Sequence, residues 1–167
     1  MKHAVVKPIY KQKGNPNSPE YYRPISILSV ISKVFEKSAT KQIVQYLENN
    51  NKPFTGQHAY RRHHSTTTCL VEITEFLHKN MDQGRVNGIA SMDLSKAFDS
   101  VSHNLLLQKL SSLGFAGSSL EWIGSYLSGR TQHSKFQNHL SEVREVDAGV
   151  PQGSILGPIL DSLKNKT

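Results

Sequence analysis

Two short stretches hold residues whose types and spacing suit chemistry on phosphates. In Asp93-Leu94-Ser95-Lys96-Ala97-Phe98-Asp99 a carboxylate closes the small apolar run Gly88-Ile89-Ala90-Ser91-Met92, and an aromatic ring follows five residues later. A carboxylate delivered at the end of a buried strand is costly unless a cation meets it. Mg²⁺ is the cation that phosphoryl-transfer sites use, because it takes hard oxygen ligands and leaves positions for water and phosphate. The other use of Asp93 is to cap the turn that follows, and the aspartate alone does not separate the two. The second stretch, Gly149-Val150-Pro151-Gln152-Gly153-Ser154-Ile155-Leu156-Gly157-Pro158, is a loop of glycines and prolines around one amide. Glycine lets backbone approach a ligand closely and proline fixes direction. Gln152 can donate and accept at once without adding charge.

The elements that must position these stretches are readable from periodicity. Val5 to Lys11 reads as a short strand interrupted by Pro8, then a loop through Pro19. Ile27, Ile31, Val34, Phe35, Ile43 and Leu47 recur at helical spacing, with Lys33, Lys37 and Lys41 opposite, and the helix ends at Asn49-Asn50-Asn51. Thr66 to Met81 is a second helix with Leu70, Ile73 and Leu77 as its apolar face and Gly84 as its stop. His103 to Leu113 is a third, capped by Ser102 and Gly114, and Ser118 to Ser128 a fourth, stopped by Gly129. Gly88 to Met92 is expected to be a buried strand that carries Asp93 at its end. Thr131 to Val146 reads as a polar hairpin.

Composition sets the class. The chain has 167 residues, enough for one domain, or one and part of another. Its 37% hydrophobic content includes no apolar run near the ~20 residues of a membrane span. The amino terminus shows no secretory pattern, and Cys69, the single cysteine, excludes an internal disulfide or a cysteine-rich zinc site. An intracellular protein, nuclear or cytoplasmic, is expected. The net charge of +7 is unevenly spread: residues 1–85 hold 13 Lys and Arg against 6 Asp and Glu, whereas residues 86–167 hold 7 of each. A basic half joined to a neutral half suits a protein that grips phosphates with one part and does chemistry with the other. A solvated basic face explains the same numbers.

In order and spelling, the two stretches resemble signature blocks of the reverse transcriptases of non-LTR, LINE-type retrotransposons. Tyr21-Tyr22-Arg23-Pro24-Ile25-Ser26 resembles their first finger motif. Gln57 to Thr66 resembles the second, with Ala59 and Tyr60 where the family has Gly and Phe; alanine disfavours a turn of positive φ at that position. Ser119 to Arg130 resembles their connecting sequence, and the likeness runs from about Val5 to Leu160.

The resemblance implies an α+β fold: a fragment of the right-hand polymerase, with fingers at 1–85, the first part of the palm at 86–167, and helices packed on a small antiparallel sheet. It implies RNA-templated DNA synthesis with Mg²⁺, on an RNA template, a DNA primer and dNTP. Asp93 would be catalytic and a metal ligand, with the carbonyl of Leu94 a second ligand. Arg23 would bind the triphosphate, and Arg61 a template or nucleotide phosphate. Phe98 would sit under the incoming sugar and exclude a 2′-hydroxyl; an ordinary core position is open to it too. Gln152 would touch the nucleotide, Gly149 and Gly153 would shape the loop, and Asp99 would fix the turn. Arg62, His63 and His64 read as a basic rim. The family continues into a paired Asp-Asp, and no adjacent Asp-Asp occurs in these 167 residues. A copy truncated before that motif, and inactive, is therefore expected. A non-catalytic nucleic-acid-binding remnant and a product without function are the alternatives.

Overall fold

The computed structural model describes residues 2–50, 52, 56–93 and 97–164. They form two units, one built from residues 1–50 with 96–167 and the other from residues 51–95.

The first unit carries the sheet. β1 (His3–Tyr10) and β2 (Tyr22–Ile27) pair antiparallel with Val5 opposite Ile27 and Tyr10 opposite Tyr22. Pro8 and Pro24 face each other in that register, so both missing N–H donors fall at one place, beyond the part of β1 paired to β3. β3 (Arg130–Phe136) lies parallel to β1, with His3 opposite Thr131 and Val6 opposite Ser134. β4 (His139–Leu140) and β5 (Arg144–Val146) return antiparallel to β3. The sheet is α+β in character but mixed, and the expectation of a purely antiparallel sheet is corrected by the β1–β3 pair.

α1 (Val30–Asn49) starts on Ser29, whose side chain accepts from Ser32 N. The expected apolar stripe is only half right. Ile43 and Leu47 are buried, but Ile31, Val34 and Phe35 are exposed, and Ile27 belongs to β2. The inward line of the amino-terminal half is polar instead, through Ser32 and Glu36. α3 (His103–Ser112) is capped by Ser102 as expected, and α4 (Ser118–Leu127) ends just before Gly129. A further helix, α5 (Gly157–Lys164), was not expected. The side chain of Ser154 accepts from Gly157 N at 2.9 Å, and Pro158 lies in the first turn, where its missing N–H costs nothing. Leu106, Leu110, Ile123, Leu127, Leu160 and Leu163 from these three helices are almost wholly buried and form the centre of the core. Each is worth about 1.5–3 kcal/mol of burial.

The second unit is organised by α2 (Thr66–Asp82). Ser65 and Thr68 form a reciprocal capping box, each side chain accepting from the other's backbone N–H. His58 joins the preceding loop to the helix through Thr68 Oγ1 at 3.0 Å and Glu72 Oε2 at 2.8 Å. Beyond the helix, Asn87 binds Leu77 O at 3.1 Å and accepts from Asn80. Residues 88–93 are not a strand, and Ile89 and Met92 are 72% and 90% exposed. This corrects the buried-strand expectation: a strand exists by pairing, and a five-residue run diluted by Gly88, Ala90 and Ser91 has no ladder partner among the described residues. No helix of the described residues is long and apolar enough to cross a membrane.

Candidate active site

The loop at Gly149–Gly153 is fixed on both sides. On one side, Gly149 N donates to Val101 O and Val150 N to Phe98 O, each at 2.8 Å, while His103 Nε2 donates to Gly149 O at 2.8 Å. On the other, Ser26 N at the end of β2 donates to Gln152 O at 2.7 Å. The glycines are required. Gly149 has φ +86°, and a Cβ there would stand 2.8 Å from Phe98 O and 3.0 Å from Asp99 Cα. Gly153 has φ +113°, and its Cβ would stand 2.8 Å from Ser26 O. No L side chain fits either place without moving backbone.

Behind the loop lies a buried polar layer that the sequence did not announce. Glu36 is 1% exposed. Its carboxylate accepts from Ile155 N at 2.7 Å, from Leu156 N at 3.4 Å and from Ser32 Oγ at 3.1 Å. Ser154 Oγ donates to Pro151 O at 2.8 Å while accepting from Gly157 N. Tyr126 stands beside this layer. Burial pushes its phenol up to about 12, and the Glu36 carboxylate pushes the same way. Among the described residues the Tyr126 hydroxyl makes no hydrogen bond of full geometry, although Ser154 and Glu36 are near enough to influence its ionisation. Arg130 is also buried. Its Nη1 donates to Tyr126 O at 3.0 Å and its guanidinium lies 4.9 Å from the Tyr126 ring centre. Its Nη2 has no partner among the described residues.

In front of the loop is a cleft of about 260 Å³, walled by Pro24, Ser26, Asp99, Arg130, Gln132 and the backbone and side chains of Gly149–Gln152. The first unit thus gathers several of the residues singled out from sequence. Arg23 is exposed on β2, opposite Ile9 and three positions before Ser26. Phe98 is half-buried in the short 3-10 turn Ala97–Ser100, whose carbonyl holds Val150. Gln152 is half-buried and Gly153 exposed at the loop's tip. Asp99 lines the cleft.

The other residues lie in the second unit. Asp93 is exposed at the end of the irregular segment 88–93. Arg61 is half-buried, with Nη1 on Gln57 O at 3.2 Å. In its loop the positive φ falls on Tyr60 and His63, at +58° and +61°, and not on Ala59. His64 binds Arg62 O at 2.9 Å, and Leu94 lies outside the described residues. Among the described residues no three His, Cys, Asp or Glu side chains gather to hold a metal ion.

Sequence reasoning missed Glu36, Tyr126, Arg130 and Ser154. One signal was available: Ser32, Glu36, Ile43 and Leu47 share a helical face, so an acid stood in line with two core residues.

Comparison with known proteins shows the family. Residues 9–163 match the family model described as reverse transcriptase (RNA-dependent DNA polymerase). Among relatives, the probable RNA-directed DNA polymerase from transposon BS of Drosophila melanogaster is 33% identical over 97% of this chain and 18% of its own length. That from transposon X-element of the same fly is 33% identical over 95% of this chain and 17% of its own. The Pol polyprotein of the type-1 retrotransposable element R2 of Popillia japonica is 26% identical over 88% of this chain and 20% of its own. The chain belongs to the reverse transcriptase family, in its non-LTR retrotransposon branch. It spans about a fifth or less of the length of these relatives.

Proposed function

We propose that this chain is the nucleotide-facing part of an RNA-templated DNA polymerase, with residues 1–85 as fingers and residues 86–167 as the beginning of the palm. One observation carries the reading. The loop bearing Gln152 is held between the Phe98 turn and the end of the Arg23 strand, so three residues expected to meet a nucleotide belong to elements joined by direct hydrogen bonds. In the reaction, a primer 3′-hydroxyl attacks the α-phosphorus of a dNTP and pyrophosphate leaves. Arg23 would pair with phosphate oxygens through its planar fork. Phe98 would close the space a 2′-hydroxyl needs, and Gln152 and Gly153 would line the nucleotide. Arg61 would hold a template or nucleotide phosphate. Asp93, as the catalytic carboxylate, would take Mg²⁺ together with the Leu94 carbonyl. RNA template, DNA primer and dNTP are the partners, in the nucleus or cytoplasm.

These 167 residues supply one carboxylate of the metal set, so primer extension by the chain alone is expected to be absent. The basic charge of residues 1–85 also supports a second reading, a nucleic-acid-binding remnant without nucleotide selection. Competition between dATP and ATP, each with Mg²⁺ and an RNA–DNA primer–template, separates them. Preference for dATP that disappears in Phe98→Ala supports the polymerase reading. Salt-sensitive RNA binding with no preference between the two nucleotides favours the remnant and overturns the first.

A further inference from the structure

Glu36 is a carboxylate almost wholly removed from water, and no motif of the reverse transcriptase reading uses it. Charge at such a place is costly, and a helix of this kind could carry leucine there. What the carboxylate does is specific. It takes the amides of Ile155 and Leu156, the two residues that follow Gly153-Ser154. Those amides stand at the entrance of α5, where first-turn donors have no intrahelical acceptor. Ser154 takes the next one, Gly157 N, and ties back to Pro151 O. The loop is therefore clamped at its exit by α1 and at its entry by the Phe98 turn and His103. Between the clamps, Pro151 and Gln152 line the cleft, beside Gly149 and Val150.

We propose that Glu36 is a positioning residue for this loop: by holding the Ile155 and Leu156 amides from across the core, it sets where Gln152 stands in the cleft. The proposal rests on the nucleotide-facing reading for its functional consequence, but not for its structural part. Glu36 is 1% exposed and does not line the cleft. A carboxylate accepts two amides at once in a way that a methyl or thioether cannot, which is why an acid is kept where packing alone would accept an apolar side chain.

The test compares Glu36→Gln, which keeps an oxygen acceptor, with Glu36→Met, which fills the space without one, in the full 167-residue chain. Two quantities are read: amide hydrogen exchange, and the affinity of a fluorescent dATP analogue with Mg²⁺ and primer–template. In Glu36→Met, exchange at Ile155 and Leu156 should rise about tenfold or more, with amides of α3 and α4 unchanged. Affinity for the analogue should fall about tenfold in Glu36→Met and recover to within about threefold of wild type in Glu36→Gln. Unchanged exchange at Ile155 and Leu156 in Glu36→Met would overturn the proposal. So would equal acceleration across α3, α4 and the loop in both variants, which would make Glu36 a general stabiliser. If wild type binds no analogue, the nucleotide-facing reading fails, and the exchange pattern alone still decides the role of Glu36.

Discussion

The loop at Gly149–Gly153 belongs to one motif of this chain and the segment at Gly88–Asp93 leads into another, and they are held in opposite ways. The loop is fixed largely through backbone: its amides donate to Val101 O and Phe98 O, its carbonyls accept from His103 and Ser26, and a buried carboxylate secures its exit. The segment is exposed, irregular and unpaired among the described residues. The contrast shows what each kind of motif needs. A loop whose conformation depends on glycine φ and nearby carbonyls specifies itself once its own unit has folded. A short apolar run diluted by glycine, alanine and serine forms a strand only against a ladder partner, and it cannot supply one alone.

Substitutions break the comparison at its strong end first. Gly149→Val should be the most damaging, because it combines a positive φ with a Cβ 2.8 Å from Phe98 O. A loss of about 3 kcal/mol or more in urea unfolding is expected, or failure to fold. Ser154→Ala removes the acceptor of Gly157 N and the donor to Pro151 O, and should cost about 1–2 kcal/mol by the same measurement.

Tyr126 tests the layer behind the loop through pH. Its phenol is held up to about 12 against an ordinary 10.0, so between those values the folded chain keeps a proton that the unfolded chain releases. Stability must therefore fall as pH rises from 10 toward 12. Tyr126→Phe should flatten that alkaline limb while leaving neutral-pH stability nearly unchanged. The smallest effect belongs to the other region: Asp93→Asn should change unfolding free energy by less than about 0.5 kcal/mol, as for an exposed side chain with no structural duty. A larger cost would mean that Asp93 is structurally committed.

Much of this was legible in the sequence, for local reasons. Ser102 and the glycines at 84, 114 and 129 marked ends of α2, α3 and α4 to within a residue or two, because caps are written beside the helices they end. Phe98 and Gln152 could be named from their motifs. What stayed hidden depended on distant partners. The parallel pairing of β1 with β3 joins residues more than 120 positions apart, and nothing in either strand advertises it. Glu36 was not singled out, lying between Phe35 and Lys37; only packing reveals that its amide partners are 119 and 120 residues away. α5 was missed for a different reason. Leu156, Ile159, Leu160 and Leu163 have helical spacing, but Gly157-Pro158 reads as part of a glycine- and proline-rich loop, although proline is tolerated in a first turn. The strand expected at 88–92 erred the other way, by reading a composition suited to burial as if burial were assured.

Native-state hydrogen exchange of the unmodified chain tests the central claim, that a preformed loop faces the cleft while the Asp93 segment is unpaired. The account predicts slow exchange at Gly149, Val150, Ile155 and Leu156, approaching that of the α3 and α4 core, with rapid exchange at Ile89 through Asp93. Rapid exchange across the loop together with strong protection at 89–93 would contradict it.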